Sequence, residues 1–172
     1  MKHRLGVALS VALALVSCNA TTNQHVTFAH LSFDVPGDWS QYETDHRGVS
    51  TQVWTPAGND EKESLTLIRT ELAPVTAQAG ASTLSTLLAQ AQSGLPESKV
   101  SATNAVSTKS GLSGVRVDVD YVPKGLKDRY HRVHVVLVDG NSLIHVLYTA
   151  KSPDMSFTAL NLALATLQEG KG

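Results

Sequence analysis

The chain has 172 residues, with 15 acidic residues against 14 Lys or Arg, and its formal net charge is −1 at pH 7. This near-neutral balance, without a basic block, argues against nucleic acid as a partner. The single cysteine excludes a disulfide framework, so the fold must depend on a hydrophobic core.

The first segment of the chain has the layout of an export signal. Lys2 and Arg4 precede a mainly apolar run of twelve residues from Leu5 to Val16. A run of this length fits the ~7–15 residues of a secretory signal and is shorter than the ~20 that span a bilayer. The sequence therefore predicts a signal peptide over residues 1–17 and not a transmembrane helix.

The end of this segment carries a candidate lipid-attachment site. Leu15, Val16, Ser17 and Cys18 resemble the lipobox of bacterial lipoproteins, in which the signal is cut before a cysteine that carries diacylglycerol. The resemblance implies that Cys18 is the lipidation site and that the lipid makes the membrane a partner, because two or more acyl chains anchor a protein almost permanently. A plain secretory signal with a chance cysteine is the alternative.

The expected location is the cell envelope, on the periplasmic side. Enteric lipoproteins retained in the inner membrane often carry aspartate after the lipidated cysteine, and Asn19 in that place favours the outer membrane. Small polar residues from Asn19 to Gln24 predict a tether, so residues 18–25 are assigned to the lipidated N-terminus and its tether. Residues 26–170 then form one α+β domain, large enough for a single core.

The first half of this domain shows two hydrophobic patterns: an alternation of apolar and polar residues, typical of strands, and then a helical period. Strands are predicted over 26–28 and 31–35, the latter running into Pro36-Gly37-Asp38-Trp39, and a hairpin over 50–55 and 64–72. From Ser82 the apolar residues follow a helical period, with Gly94 and Pro96 as a stop. An amphipathic helix is therefore predicted over 82–93.

The second half predicts three consecutive strands and a final helix. Val115 to Tyr121 alternates strictly, and strands over 129–138 and 143–150 flank the turn Asp139-Gly140-Asn141-Ser142. The last two strands are apolar on both faces, as expected of central strands. A helix from Pro153 to Glu169 is predicted to cover them.

This order of elements resembles the PsbP-like fold, in which a mainly antiparallel sheet is flanked by two helices. The likeness rests on the strand Leu31–Val35 leading into Pro36-Gly37-Asp38-Trp39, the helix, the meander and the final helix. The fold also occurs in bacterial lipoproteins of the DcrB and LpqN-like groups. The resemblance implies an accessory or ligand-associated module without catalytic activity.

Strand register predicts one polar cluster in the second half. Pairing Val122 with Tyr130 sets apolar residues opposite each other, and it sets Asp118 opposite His134 and Asp120 opposite Arg132. The turn at Gly140 brings His145 beside His134. The predicted binding surface is one sheet face that carries Asp118, Asp120, Arg132, His134 and His145.

Two interpretations of this surface remain open. Cross-strand ion pairs on a half-exposed face are the simpler one. Alternatively, Asp118, His134 and His145 hold a divalent metal or a ligand, because nitrogen and carboxylate groups suit such a site. The chain lacks a Gly-x-Ser-x-Gly elbow, a Walker loop and a dinucleotide fingerprint, and lipidation would consume its only thiol. We therefore assign no catalytic residue, metal or cofactor.

The sequence thus predicts a lipid-anchored envelope module that binds or scaffolds and is not an enzyme. Its binding surface is expected at the polar cluster and at the loop Pro123–Asp128, since loops on a rigid sheet often carry function. The partner would be another envelope protein or a small ligand. The alternatives are a metal-dependent or hydrolytic envelope enzyme that uses Asp118, His134 and His145, and a purely structural surface lipoprotein.

Overall fold

The computed structural model describes residues 22–46, 49–58, 63–71, 81–153 and 155–169. The predicted signal peptide and Cys18 lie outside the described residues. No helix in the described part of the chain is long and apolar enough to cross a bilayer. The described elements are β1 Gln24–Phe28, β2 Leu31–Val35, β3 Trp39–His46, β4 Val49–Pro56, β5 Glu63–Glu71, α1 Ala81–Ser93, β6 Lys99–Ser107, β7 Ser113–Tyr121, β8 Tyr130–Asp139, β9 Ser142–Lys151, α2 Thr158–Thr166 and β10 Gln168–Glu169.

Most of these strands form one antiparallel sheet. Its seven strands lie in the order β3-β4-β5-β9-β8-β7-β6, so β8 and β9 are central, as the apolar character of both their faces predicted. The turn between them places Gly140 at φ 56°, a conformation that glycine adopts without a Cβ penalty. A second sheet has the order β1-β2-β10 and is also antiparallel.

One face of the large sheet packs against the small sheet and α2; we call it the α2 face. Alternate residues of the central strands point into this core, among them Val133, Val135 and Val146. Trp54 and Phe33 meet edge to face, with ring centroids 5.2 Å apart. Both side chains are fully buried, so this pair joins the two sheets at the centre of the core.

The opposite face packs against α1, and we call it the α1 face. Leu88 of the helix contacts Val115, Val117 and Val136 in a second, smaller core. The helix spans Ala81–Ser93, one residue longer at its start than predicted. The α+β class with mainly antiparallel sheets and two helices is therefore confirmed.

The final helix is shorter than the sequence predicted. The expected span was Pro153 to Glu169, but α2 covers Thr158–Thr166 and the chain then forms β10 on the edge of β2. Phe157 has φ 54°, a left-handed conformation that does not continue a helix. Strands β3, β6 and β10 were not predicted, because their apolar residues do not alternate cleanly.

Candidate functional site

The register of β7 and β8 differs from the predicted one by one residue. Tyr130 pairs with Tyr121 and not with Val122, so Asp118 lies opposite Val133 and Asp120 lies opposite His131. A shift of one residue moves a strand's side chains to the other face. The predicted single cluster is therefore wrong: Asp118 and Asp120 lie on the α2 face, whereas Arg132, His134 and His145 lie on the α1 face.

The carboxylates on the α2 face belong to a half-buried charged network. Arg116 donates two hydrogen bonds to Asp118, at 2.6 and 2.8 Å. His131 Nδ1 lies 2.8 Å from Asp120 Oδ1, and His131 Nε2 lies 3.9 Å from Asp118 Oδ2. The observed register thus buries charged groups, and the cost is offset because these charges pair with one another.

Electrostatics keep this network ionised. Burial alone would raise the pKa of Asp118, but His131 and Arg116 outweigh it and lower the pKa to about 2. The pKa of His131 is raised, against the cost of burial, chiefly by hydrogen bonding with Asp118 and then by the bond to Asp120 and the charges of both carboxylates. Phe157 covers the network, with its ring edge to face with His131 at 5.6 Å and beneath Arg116 at 5.9 Å. This arrangement holds β7, β8 and the segment before α2 together.

The histidines on the α1 face form a hydrogen-bonded chain that ends on α1. Gln92 Nε2 lies 3.0 Å from His134 Nδ1, His134 Nε2 lies 3.0 Å from His145 Nδ1, and His145 Nε2 lies 3.1 Å from Thr70. The expected proximity of His134 and His145 is confirmed. All four ring nitrogens therefore have partners, which leaves none for a metal or a substrate in this conformation.

Burial keeps these rings neutral. His134 is 8% exposed, and burial, the neighbouring His145 and Arg132 lower its pKa to about 3. Burial also lowers the pKa of His145. The alternative interpretation, a metal or ligand site made of Asp118, His134 and His145, is not supported, because Asp118 is on the other face. Among the described residues, no group of three or more His, Cys, Asp or Glu could hold a metal.

A cavity of about 490 Å³ lies on the α1 face, beside the loop that joins β7 to β8. This loop includes the predicted binding segment Pro123–Asp128. The amide of Leu126 donates to the carbonyl of Pro123 at 3.0 Å, and Gly125 has φ 86°, as a type II turn requires. The lining residues are Tyr121, Pro123, Leu126, Asp128, Tyr130, Thr149 and Lys151.

Arg132 is not itself a lining residue, but its guanidinium contacts two residues that are, Tyr121 and Thr149. Its Cζ is 4.9 Å from the centre of the Tyr121 ring, and Nη2 donates to Tyr121 Oη at 3.0 Å. Nε donates to Thr149 at 3.3 Å. Among the described residues, Arg132 forms no ion pair with a carboxylate. At the rim, Lys151 Nζ pairs with the exposed Asp128 at 2.6 Å. We call this cavity, with Arg132, the loop cavity.

Several site residues could not be found from the sequence. Gln92 and Thr70 lie in elements distant along the chain, and nothing in their local pattern marks them as partners of histidines. His131 lies on the opposite face from His134, and this places it beside Asp120. Tyr121 ends the alternating strand β7, and its ring also supports the guanidinium of Arg132.

Comparison with known proteins shows likeness in structure. No protein-family model matches the chain, and no curated protein matches it in sequence. It is similar to PsbP (CyanoP) of Synechocystis, with a TM-score of 0.62 and 14% identity over 89% of this chain and 95% of that one. It is also similar to Mycobacterium tuberculosis LpqN, described as involved in cell envelope biogenesis, with a TM-score of 0.60 and 14% identity over 87% and 91% of the chains.

A third likeness is to a Bacteroides thetaiotaomicron protein, with a TM-score of 0.57 and 12% identity over 83% of this chain. The matched region is 46% of that longer protein, so this chain spans about half its length. Because the sequence identities are low, these structural likenesses establish the fold alone. The PsbP-like fold predicted from the order of elements is therefore confirmed.

Proposed function

We propose that this protein is a lipid-anchored module of the cell envelope that binds a partner at the loop cavity and does not catalyse a reaction. The observation that carries the proposal is the Leu15–Cys18 lipobox after a short apolar run, in a chain with no other cysteine. LpqN, which has a similar fold, is described as involved in cell envelope biogenesis, in agreement with this location.

The start of the described chain supports an anchored arrangement. A methyl group at Gly37 would overlap the carbonyl oxygen of Thr22, so the chain lies directly against this glycine. Gln24 Nε2 donates to the carbonyl of Trp39 at 2.6 Å. The four residues from Cys18 to Thr21, which precede this packed segment, extend at most ~14 Å. Lipid on Cys18 would therefore hold this end of the domain close to the bilayer.

The loop cavity lies at the same end of the large sheet. Cross-strand pairs connect Trp39, at the start of β3, with Tyr121, at the end of β7, so both residues lie at the same end of the sheet. These pairs, which are identical or adjacent in position from strand to strand, are Trp39 with Pro56, Trp54 with Leu65, Glu63 with Ala150, Tyr130 with Lys151 and Tyr121 with Tyr130. Short lipid attachment would thus place the cavity at the membrane-proximal end of the domain.

The proposal of a non-catalytic role is supported by the histidines. A general base needs a ring nitrogen that can reach the substrate, and the nitrogens of His134 and His145 are bonded within the fold. The charged network on the α2 face is covered by Phe157. Neither group opens into the loop cavity, whose lining is suited to binding.

Mass spectrometry of the protein purified from envelopes tests the anchor. We expect the residues before Cys18 to be absent and the new N-terminus to carry acyl chains, and Cys18→Ser should remain uncleaved and unlabelled by palmitate. Recovery of the wild-type chain with its first segment intact, or with a free thiol at Cys18, would contradict the proposal.

In-cell photocrosslinking tests the binding surface and separates it from a purely structural role. A photoreactive residue at Leu126, which is 52% exposed, should give specific adducts. The same residue at Asn141, in the turn at the other end of the sheet, is the control. Equal adducts at both sites, or none at Leu126, would favour the purely structural lipoprotein.

A further inference from the structure

We infer that the loop cavity binds an organic acid, with its anionic group on Arg132 and its apolar body against Tyr121 and Leu126. This inference rests on the proposed function, and it names the chemical class of the ligand. The anionic group is a carboxylate or a phosphate, carried by a soluble molecule or by a lipid headgroup.

Arg132 supplies the anion-binding group. A guanidinium presents five N–H donors, and here Nε and Nη2 are used by Thr149 and Tyr121. These two bonds and the Tyr121 ring hold the fork in place, while Nη1 forms no hydrogen bond with any described residue. A held guanidinium loses little further freedom on binding, and it fits planar oxyanions well.

The charges around the cavity favour an anion. The loop carries Lys124, Lys127 and Arg129, and the only acidic residue between Val122 and Tyr130 is Asp128. Asp128 is already paired with Lys151, so it does not neutralise Arg132. The local excess of positive charge contrasts with the chain as a whole, whose formal charge is −1. An acidic ligand would complete this set of charges.

The apolar part of the lining favours a ligand with a body as well as a charge. Two tyrosine rings, Pro123 and Leu126 form most of the wall. Leu126 is 52% exposed on the loop, so its side chain is accessible to a ligand in the cavity. The volume of about 490 Å³ lies within the ~300–1,000 Å³ of small-molecule sites. An inorganic ion alone would leave this surface in water.

Calorimetric titration with 2-naphthoate tests the inference, using the full processed protein in phosphatidylcholine nanodiscs with empty nanodiscs as the blank. We expect saturable binding, with a Kd at least ~10-fold lower than for the neutral analogue 2-naphthamide. Arg132→Gln should remove this preference. Lys109→Gln, which removes an equal charge from an exposed position in the loop between β6 and β7, at the other end of β7 from the cavity, should leave it within ~2-fold.

A second variant keeps the test informative if Arg132→Gln does not fold. Leu126→Ser changes an exposed side chain, and it should weaken naphthoate and naphthamide equally, because it removes only apolar contact. No binding of 2-naphthoate, equal binding of acid and amide, or an equal loss in Lys109→Gln would overturn the inference.

Two further arms separate the sources of the ligand and the two proposals. Nanodiscs that contain phosphatidylglycerol will raise the apparent Kd for 2-naphthoate if a bilayer lipid is the natural occupant, and will leave it unchanged if the ligand is a soluble acid. Failure of naphthoate binding in a protein that is acylated at Cys18 would remove the inference and leave the anchor intact. A protein without acylation that still binds 2-naphthoate would remove the anchor and leave the inference intact.

Discussion

His134 Nε2 and His145 Nδ1 lie 3.0 Å apart on neighbouring central strands, beneath the last turn of α1. One ring must donate and the other accept, so the contact requires at least one neutral ring. Gln92 extends the chain from His134 to the helix. The packing of α1 on the sheet is therefore linked to the protonation of His134, which is buried, and of its partner His145.

Acid should destabilise the protein through His134. Its pKa is lowered from 6.5 to about 3, so in the folded state it remains neutral where an unfolded histidine is charged. A depressed pKa stabilises the fold above about pH 6.5, and this contribution is lost as pH falls towards 3. We expect the free energy of unfolding to fall by about 2 kcal/mol from this group between pH 7 and 4.5.

Urea denaturation of wild type and His134→Gln at both pH values measures this effect. The glutamine variant should be less stable at pH 7 and should show a flatter dependence on pH. Parallel pH profiles of the two proteins would contradict the role of His134. His25→Gln, at an exposed histidine on β1, is the control and should follow the wild type.

His131 should act in the opposite direction. Its pKa is raised by Asp118 and Asp120, so its contribution to stability is complete below pH 6.5 and is lost as pH rises through the folded pKa. His131→Gln should therefore lose more stability at about pH 5.5 than at about pH 8.5. Unfolding curves at these two values provide the measurement, and a larger loss at the alkaline value would contradict the prediction.

Removal of the Asp118 carboxylate should leave Arg116 and His131 half-buried without their shared anion. Asp118→Asn is expected to cost about 2 kcal/mol of unfolding free energy at pH 7, because a lost charge partner in a buried network is expensive. The matched control is Asp128→Asn, whose carboxylate is 57% exposed in its pair with Lys151. That change should cost less than ~0.5 kcal/mol. Equal losses of unfolding free energy in the two variants would show that Asp118 contributes no more stability than a carboxylate in an exposed ion pair.

A methyl group at Gly37 should disturb the start of the domain. Because it would overlap the carbonyl oxygen of Thr22, Gly37→Ala must displace the segment that leads to the tether. We expect a loss of ~1–3 kcal/mol in unfolding free energy and faster amide exchange in β1. Gly94→Ala is the control, since its nearest contact is an ordinary 3.5 Å. Unchanged exchange in β1 would contradict the predicted overlap.

Local patterns were sufficient for much of the fold. The alternation in Val115–Tyr121 and the turn at Gly140 specified β7 and the β8–β9 hairpin, because period and turn chemistry depend only on neighbours in sequence. The same alternation could not specify how β7 pairs with β8. The predicted register avoided burying Asp118 and Asp120, and it assumed that buried charge has no compensation.

Tertiary structure decided the site, because side chains from several elements compensate for the burial of these charges. Arg116 from the same strand, His131 from the next and Phe157 before α2 surround the carboxylates and make their burial tolerable. Gln92 of α1 and Thr70 of β5 likewise form hydrogen bonds with the ring nitrogens of His134 and His145. By itself, then, the sequence determined the fold class and most of the element order. Register, and with it the face on which each polar side chain lies, depended on partners distant in the chain, because the energy of a buried charge is set by what surrounds it in space.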